Sequence, residues 1–224
     1  MYFDFHIHED FHFAHEAKRL GYSGIALIQD SNTSKAEQRN IKRIDEDFTI
    51  LRGFEINAKN PEDLKKNIQK FRGKKDVLIV NGGNIKINRA ACEDPRVDIL
   101  ANPFKNRRDS GINHIIAKNA AENGVAIEID VRGIIKTRSS ARAKILSNLR
   151  QIIKLKRKFK FPVITTCNAH SIYDLRAPGD VIILLKNLGM TMQEADDSLS
   201  LYPLHIMERN NILDNLVVKG VKKL

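Results

Sequence analysis

Short apolar runs alternate with stretches of helical periodicity along nearly the whole chain. Runs at Tyr2–His8, Gly24–Ile28, Phe48–Ile56, Val77–Asn81, Ile99–Ala101, Val125–Ile129 and Val163–Thr165 read as strands. Between them, apolar residues recurring every three or four positions predict amphipathic helices at Phe11–Leu20, Lys35–Ile44, Pro61–Phe71, Ile112–Asn123 and Ser139–Phe159. The helix ends are marked as well. Asn60 before Pro61 supplies a capping side chain and a residue that tolerates the first turn. Gly21 and Gly124 stand where a helix commonly closes in a left-handed residue. The last forty residues read as helices without a further strand. Strand and helix repeated about seven times predict an α/β fold, an irregular TIM-like (β/α) barrel of about seven parallel strands with extra C-terminal helices. With no internal repeat, low-complexity tract or linker, residues 1–224 read as a single domain.

Composition narrows the setting. Hydrophobic residues make up 42% of the 224, enough for a proper core. Two cysteines, Cys92 and Cys167, do not suggest a disulfide framework, and a reducing cytoplasm is expected. The opening Met1-Tyr2-Phe3-Asp4-Phe5-His6 lacks the basic region and apolar run of a signal peptide. Apolar runs such as Val181–Leu185 are far too short to cross a bilayer, so no membrane partner is expected.

Charge changes the picture more. Residues 131–173 contain no Asp or Glu, yet hold 11 of the 38 basic residues: Arg132, Lys136, Arg138, Arg142, Lys144, Arg150, Lys154, Lys156, Arg157, Lys158 and Lys160. The rest of the chain has 27 basic against 27 acidic residues, so the net charge of +11 comes from this stretch alone. Such a local excess suits a polyanion. On the helix Ser139–Phe159, Ile145, Leu149, Ile152 and Phe159 fall on one side, with Arg150, Lys154, Arg157 and Lys158 roughly opposite and Lys156 near the apolar stripe. A second cluster, Lys105, Arg107 and Arg108, follows the strand Ile99–Ala101. Arg132 follows Val125–Ile129. Both positions fall on the binding rim of a barrel, where cations can contact phosphates without reading sequence.

The N-terminal strand carries His6 and His8 two positions apart, hence on one face. His12 and His15 follow on the first helix, Glu55 closes the third strand, and His170 follows the seventh. Converging on one rim, such residues could build a di- or trinuclear hydrolytic centre. The set resembles the polymerase-and-histidinol-phosphatase (PHP) superfamily of barrel phosphoesterases, through His6-Ile7-His8, Glu55 and His170. It departs from that family at ligand positions: Gln29-Asp30-Ser31 stands for Thr-Asp-His, Asn168 for the late aspartate, and Asn102 beside Pro103 where a middle-strand ligand is needed. Neutral amides poorly replace carboxylates around clustered divalent ions. His6, His8, Glu55 and His170 are thus expected to be vestiges of a metal site, without a resident metal.

A barrel with this start and a basic surface is similar to one family, the barrel-type protein subunit of archaeal and eukaryotic ribonuclease P. The resemblance runs through Asp4-Phe5-His6-Ile7-His8, Asn81-Gly82-Gly83-Asn84, Asp94-Pro95-Arg96-Val97-Asp98-Ile99-Leu100, Gly111-Ile112-Asn113-His114 with Ala117-Lys118, Gly124–Ile129 and Leu175-Arg176-Ala177-Pro178-Gly179-Asp180-Val181. It implies a chain that assists a catalytic RNA in removing the 5′ leader of precursor tRNA. The Mg²⁺ would sit on the RNA, and a small α/β-sandwich subunit would be a protein partner beside other subunits. It implies no catalytic residue in this chain. Contacts to ribonuclease P RNA are expected from Lys105, Arg107, Arg108, Arg132, Lys136, Arg138, Arg142, Lys154, Lys158 and Arg176, with precursor tRNA met indirectly. Arg176 has an alternative, a bidentate pair with Asp180 or Glu128. The competing expectation is a metal-dependent phosphoesterase of PHP type acting alone.

Overall fold

The computed structural model describes residues 1–8, 12–30, 48–73, 76–214, 216–218 and 221–222; the helix expected at Lys35–Ile44 lies outside them. Seven strands, β1 (Phe3–Ile7), β2 (Gly24–Asp30), β3 (Thr49–Ile56), β4 (Val77–Asn81), β5 (Ile99–Ala101), β6 (Ala126–Asp130) and β7 (Val163–Thr166), pair in sequence order. Every pair is parallel. A single bridge, Ile7 to Ala169, joins the two ends, so the sheet curls into a nearly closed barrel. There the His8 amide donates to the Ala169 carbonyl at 2.8 Å, and the Ala169 amide to that of His6 at 3.1 Å.

Helices α1 (His12–Arg19), α2 (Pro61–Phe71), α3 (Ile85–Glu93), α4 (His114–Asn123), α5 (Val131–Lys136), α6 (Ser139–Phe159), α7 (Pro178–Leu188), α8 (Met192–Leu199) and α9 (Leu201–Asp214) complete the body. Alternation along each strand sorts the core. Leu78, Val80, Ile127, Ile129 and Val163 face outward into one layer with residues of α2, α3, α4, α6 and α7. Ile79, Ile99, Ala126 and Ile164 join Phe3, Phe5 and Ile206 in a separate cluster that fills the barrel. Ile206 belongs to α9, which lies across the N-terminal end. Arg209 of α9 reaches the fully buried Asp98 at 2.5 Å, and Arg72 reaches its other oxygen at 2.8 Å.

The caps agree with the chain's signals. The Asn60 side chain accepts from the Asp63 amide, and Gly124 closes α4 at φ 65°. One expectation is corrected beyond Asp214. A short antiparallel pair, β8 (Leu216–Val218) and β9 (Val221–Lys222), follows α9 where only helices were expected. Its strands are too brief to show a period.

Candidate nucleic-acid interface and the barrel mouth

The strand C-termini converge on one mouth. Phe3 and Phe5 belong to the interior cluster, and strict alternation would send His6 outward. A break in register between Asp4 and Ile7 turns it inward instead. His6 is fully buried there. Its Nδ1 donates to Glu128 Oε1 at 2.5 Å, and its Nε2 lies 3.9 Å from Glu55 Oε1. Thr166 Oγ1 donates to the same Glu128 oxygen at 2.7 Å. His8 Nε2 donates to Asn168 Oδ1 at 2.9 Å, and Asn168 Nδ2 to Asp130 Oδ2 at 3.2 Å. The ring of His170 stacks on His8 with centroids 4.0 Å apart. Asn168 sits at φ 46°, a left-handed conformation that asparagine tolerates.

Burial acts on each of these groups, and neighbours decide the outcome. For His6 burial favours the neutral ring, but Glu128, Glu55 and Asp130 outweigh it and raise its pKa to about 9. Glu128 is pushed up by burial and pulled further down by His6 and Thr166, ending below its usual range. His8 falls to about 4 through burial and the nearby His6 and His170. Asp130 rises to about 6, driven by burial and by Glu128. On the outer side of β1, burial likewise raises Asp4 to about 6 although the Cys167 and His6 amides donate to it.

His6, His8 and Glu55 each offer a ligand atom within 4.8 Å of the others. Two imidazoles and a carboxylate are a plausible donor set for one zinc-like ion. They do not fit a two- or three-ion centre. Asn168 and the residue beside Pro103, Asn102, present amides. The His170 ring stacks on His8, and His6 spends its Nδ1 on Glu128. His15 of α1 is exposed, away from this group.

The basic residues divide by what faces them. Asp174, buried at the edge of the mouth, takes Arg132 Nε at 3.2 Å and Lys136 Nζ at 2.8 Å. Burial would raise Asp174, yet Lys136, the His170 amide and Arg132 hold it below the usual carboxylate range. Glu194 on α8 takes Lys156 at 3.5 Å and Arg157 at 2.7 Å, and these contacts bring it to about 2. The two acids thus pair with four of the eleven cations and offset half of their charge. Arg138, Lys144, Arg150, Lys154, Lys158 and Lys160 have no acidic partner among the described residues and are exposed. Arg142 donates to the carbonyls of Thr137 and Ile135 and keeps its charge uncompensated. Seven cations therefore have no acidic partner among the described residues: five on α6, a helix of 21 residues or about 30 Å, and Arg138 and Lys160 capping its two ends. The fully buried side of α6 begins only at Asn148 and Leu149, and residues 139–144 are exposed.

Across the mouth, Arg107 pairs with Asp109 at 2.7 Å, while Lys105 and Arg108 are exposed without an acidic partner among the described residues. Arg176 donates to the carbonyls of Tyr173 and Leu175 at 2.7 and 2.6 Å. The pair with Asp180 or Glu128 does not form, because Glu128 is held inside the barrel by His6.

The roles of two residues escaped the sequence, where Glu128 stood only as a possible partner of Arg176. Glu128 lies 122 positions from His6, a separation that no spacing rule reaches. Asn88, fully buried on α3, accepts from the Gly83 amide at 2.9 Å and donates to the carbonyls of Pro103 and Gly111 at 2.8 and 2.9 Å. It thereby ties the β4–α3 loop to the β5–α4 loop that carries Lys105 and Arg107. An asparagine facing an apolar helix side is the one sequence signal it leaves.

Comparison with known proteins places these features. The model of the family described as RNase P subunit p30 matches residues 1–214. Ribonuclease P protein component 3 of Methanothermobacter thermautotrophicus is 43% identical over 233 aligned residues, covering 100% of this chain and 95% of that protein. The protein of the same name from Methanosarcina mazei is 40% identical over 208 residues, 93% of this chain and 86% of the relative. A chain in a cryo-EM structure of archaeal Ribonuclease P with mature tRNA superposes with a TM-score of 0.83 at 28% identity, covering 98% and 96% of the two chains. The Aspergillus niger ochratoxinase matches at TM-score 0.59 and 10% identity, over 92% of this chain and 71% of that one, a likeness of fold alone.

Proposed function

The chain belongs to the RNase P subunit p30 family, and from that premise we propose that it is a protein subunit of ribonuclease P that helps the catalytic RNA remove the 5′ leader of precursor tRNA. The match over nearly the whole length of relatives named Ribonuclease P protein component 3 carries this reading. The seven cations of residues 131–173 that have no acidic partner among the described residues support it physically. Placed against RNA phosphates, they release counterions and lower the repulsion that opposes a compact RNA. Lys105 and Arg108 extend the positive surface to the mouth. This work needs no general acid, base or nucleophile, and we assign none to the chain.

The finer assignments follow the same reading. The metals of the reaction are Mg²⁺ on the RNA, and a small α/β-sandwich subunit and further protein subunits complete the particle. Two buried cysteines without a disulfide suit a cytoplasmic setting. Among the described residues no helix is long and apolar enough to cross a membrane.

The deciding experiment is cleavage of precursor tRNA by reconstituted ribonuclease P RNA at low Mg²⁺ with the small subunit, with and without this chain. Activity that depends on the chain, which alone cleaves nothing, is the expected result. The grouping of His6, His8 and Glu55 favours a second reading, an independent metal-dependent phosphoesterase. Hydrolysis of phosphoesters by the chain alone with Mn²⁺, lost in His6→Ala, would establish that reading instead.

A further inference from the structure

A cleft of about 600 Å³ opens at the mouth where β3, β4 and β5 end and α3 begins. Its walls include Lys59, Lys105 and Arg107, the amides of Asn57, Asn81 and Asn84, and no carboxylate. Among the described residues the ammonium groups of Lys59 and Lys105 meet no acid, whereas Arg107 is held by Asp109, which lies outside the lining. A wall whose charged groups are all cations, two of them without an acidic partner, attracts an anion. Its volume falls in the range of small-ligand sites and exceeds what a bare phosphate fills.

The cleft is built rather than incidental. Gly83 sits at φ 106°, where an added Cβ would come within 2.7 Å of the Lys105 carbonyl oxygen, so glycine lets the β4–α3 loop close against the residue that supplies the cation. Asn88 fixes both loops from behind. On the inner side the amides form a relay. Asn102 Nδ2 donates to Asn81 Oδ1 at 3.4 Å, and Asn81 Nδ2 to Asn57 Oδ1 at 2.8 Å. Asn57 Nδ2 then donates to Glu55 Oε2 at 3.5 Å. Neutral amides beside cations suit a ligand with a charged phosphate and a polar, uncharged edge. Ala58, Ile85 and Ile87 add apolar wall.

We propose that this cleft receives one unpaired nucleotide of an RNA strand, its phosphate neutralised by Lys59 and Lys105 and its ribose or base edge met by the Asn57 and Asn81 amides. A concave site of this size cannot admit a base-paired nucleotide, and looped or terminal nucleotides are what proteins read in RNA. The proposal rests on the ribonuclease P reading and deepens it. It separates a holding site at the mouth from the sequence-blind ridge of α6.

The test uses the full chain, ribonuclease P RNA, and two double variants, Lys59→Gln with Lys105→Gln and Lys154→Gln with Lys158→Gln. A third, Asn81→Ala, removes an amide and no charge. Affinity is measured against salt. In parallel, the backbone amide signals of Gly82 and Gly83 are followed by NMR during titration with RNA, adenosine 5′-monophosphate or inorganic phosphate. The expected result is that RNA shifts both signals, and that losing Lys59 and Lys105 abolishes the shifts and lowers the salt slope by about one. Asn81→Ala should weaken binding severalfold at an unchanged slope. RNA binding with unmoved Gly82 and Gly83 signals and an unaltered slope overturns the cleft while leaving the subunit reading intact. Failure to bind RNA overturns the subunit reading. Should adenosine 5′-monophosphate then shift the two signals, the cleft is a free-nucleotide site and the RNA proposal falls with its premise.

Discussion

His6 Nδ1 and Glu128 Oε1 meet at 2.5 Å inside the barrel, with both side chains fully enclosed. Each stabilises the charge the other would not keep alone. Glu128→Gln is expected to cost about 3–5 kcal/mol, the usual penalty for stranding one member of a buried pair. It should also drop the His6 pKa from about 9 to below its ordinary value, since burial then acts with less opposition. Urea denaturation gives the first number and imidazole NMR titration the second.

The same cluster predicts the pH range of the fold. His6 is raised, so its contribution is complete below the unfolded histidine value near 6.5 and is lost as pH climbs through about 9. His8 is lowered to about 4, so its contribution is present above about 6.5 and disappears as pH falls towards 4. Denaturant midpoints taken from pH 4 to 10 should therefore peak near neutrality. His8→Asn should flatten the acid limb and leave the alkaline one.

Asn88 makes three hydrogen bonds while fully buried. Asn88→Leu strands one amide and two carbonyls, and a loss of about 2–5 kcal/mol follows. Hydrogen exchange should locate the damage at Gly83 and Gly111, whose loops lose their common anchor.

Pairing by Asp174 and Glu194 makes the basic residues unequal. Lys154→Gln with Lys158→Gln should lower the slope of log affinity against log salt by about two. Arg132→Gln with Lys136→Gln should lower it by less, because Asp174 already neutralises part of that charge. Equal slopes for the two pairs would show that Asp174 releases its partners to the RNA.

Much of the barrel was legible because its strands are continuous apolar runs: Val77–Asn81 and Ile99–Ala101 stand where the pattern put them, as does the helix opened by Asn60 and Pro61. Helix α3 was not. Its buried face carries the polar Asn88 beside Ile87 and Ala91, which blurs the period. The mouth was half legible. His6, His8, Glu55 and His170 do lie on one rim, as their strand-end positions implied. Yet His6 turns inward through a bulge, and its partner Glu128 arrives from β6, neither of which any local pattern encodes. The charge excess was plain in the chain. That Asp174 and Glu194, just beyond its end and far past it, would each pair with two of its cations depended on the folded path.

The barrel has seven staves and one thin joint. Strand pairs such as β2–β3 are laced along seven residues, whereas β1 and β7 meet through the bridge of Ile7 and Ala169 and two backbone hydrogen bonds beside it. Any transient parting of the ring therefore starts at that joint, and His8 and Asn168, which face each other across it, separate first. The amides of His8 and Ala169 should exchange with solvent well before those of β3, setting a hinge line through the histidine side of the mouth while the Lys59–Lys105 side stays rigid.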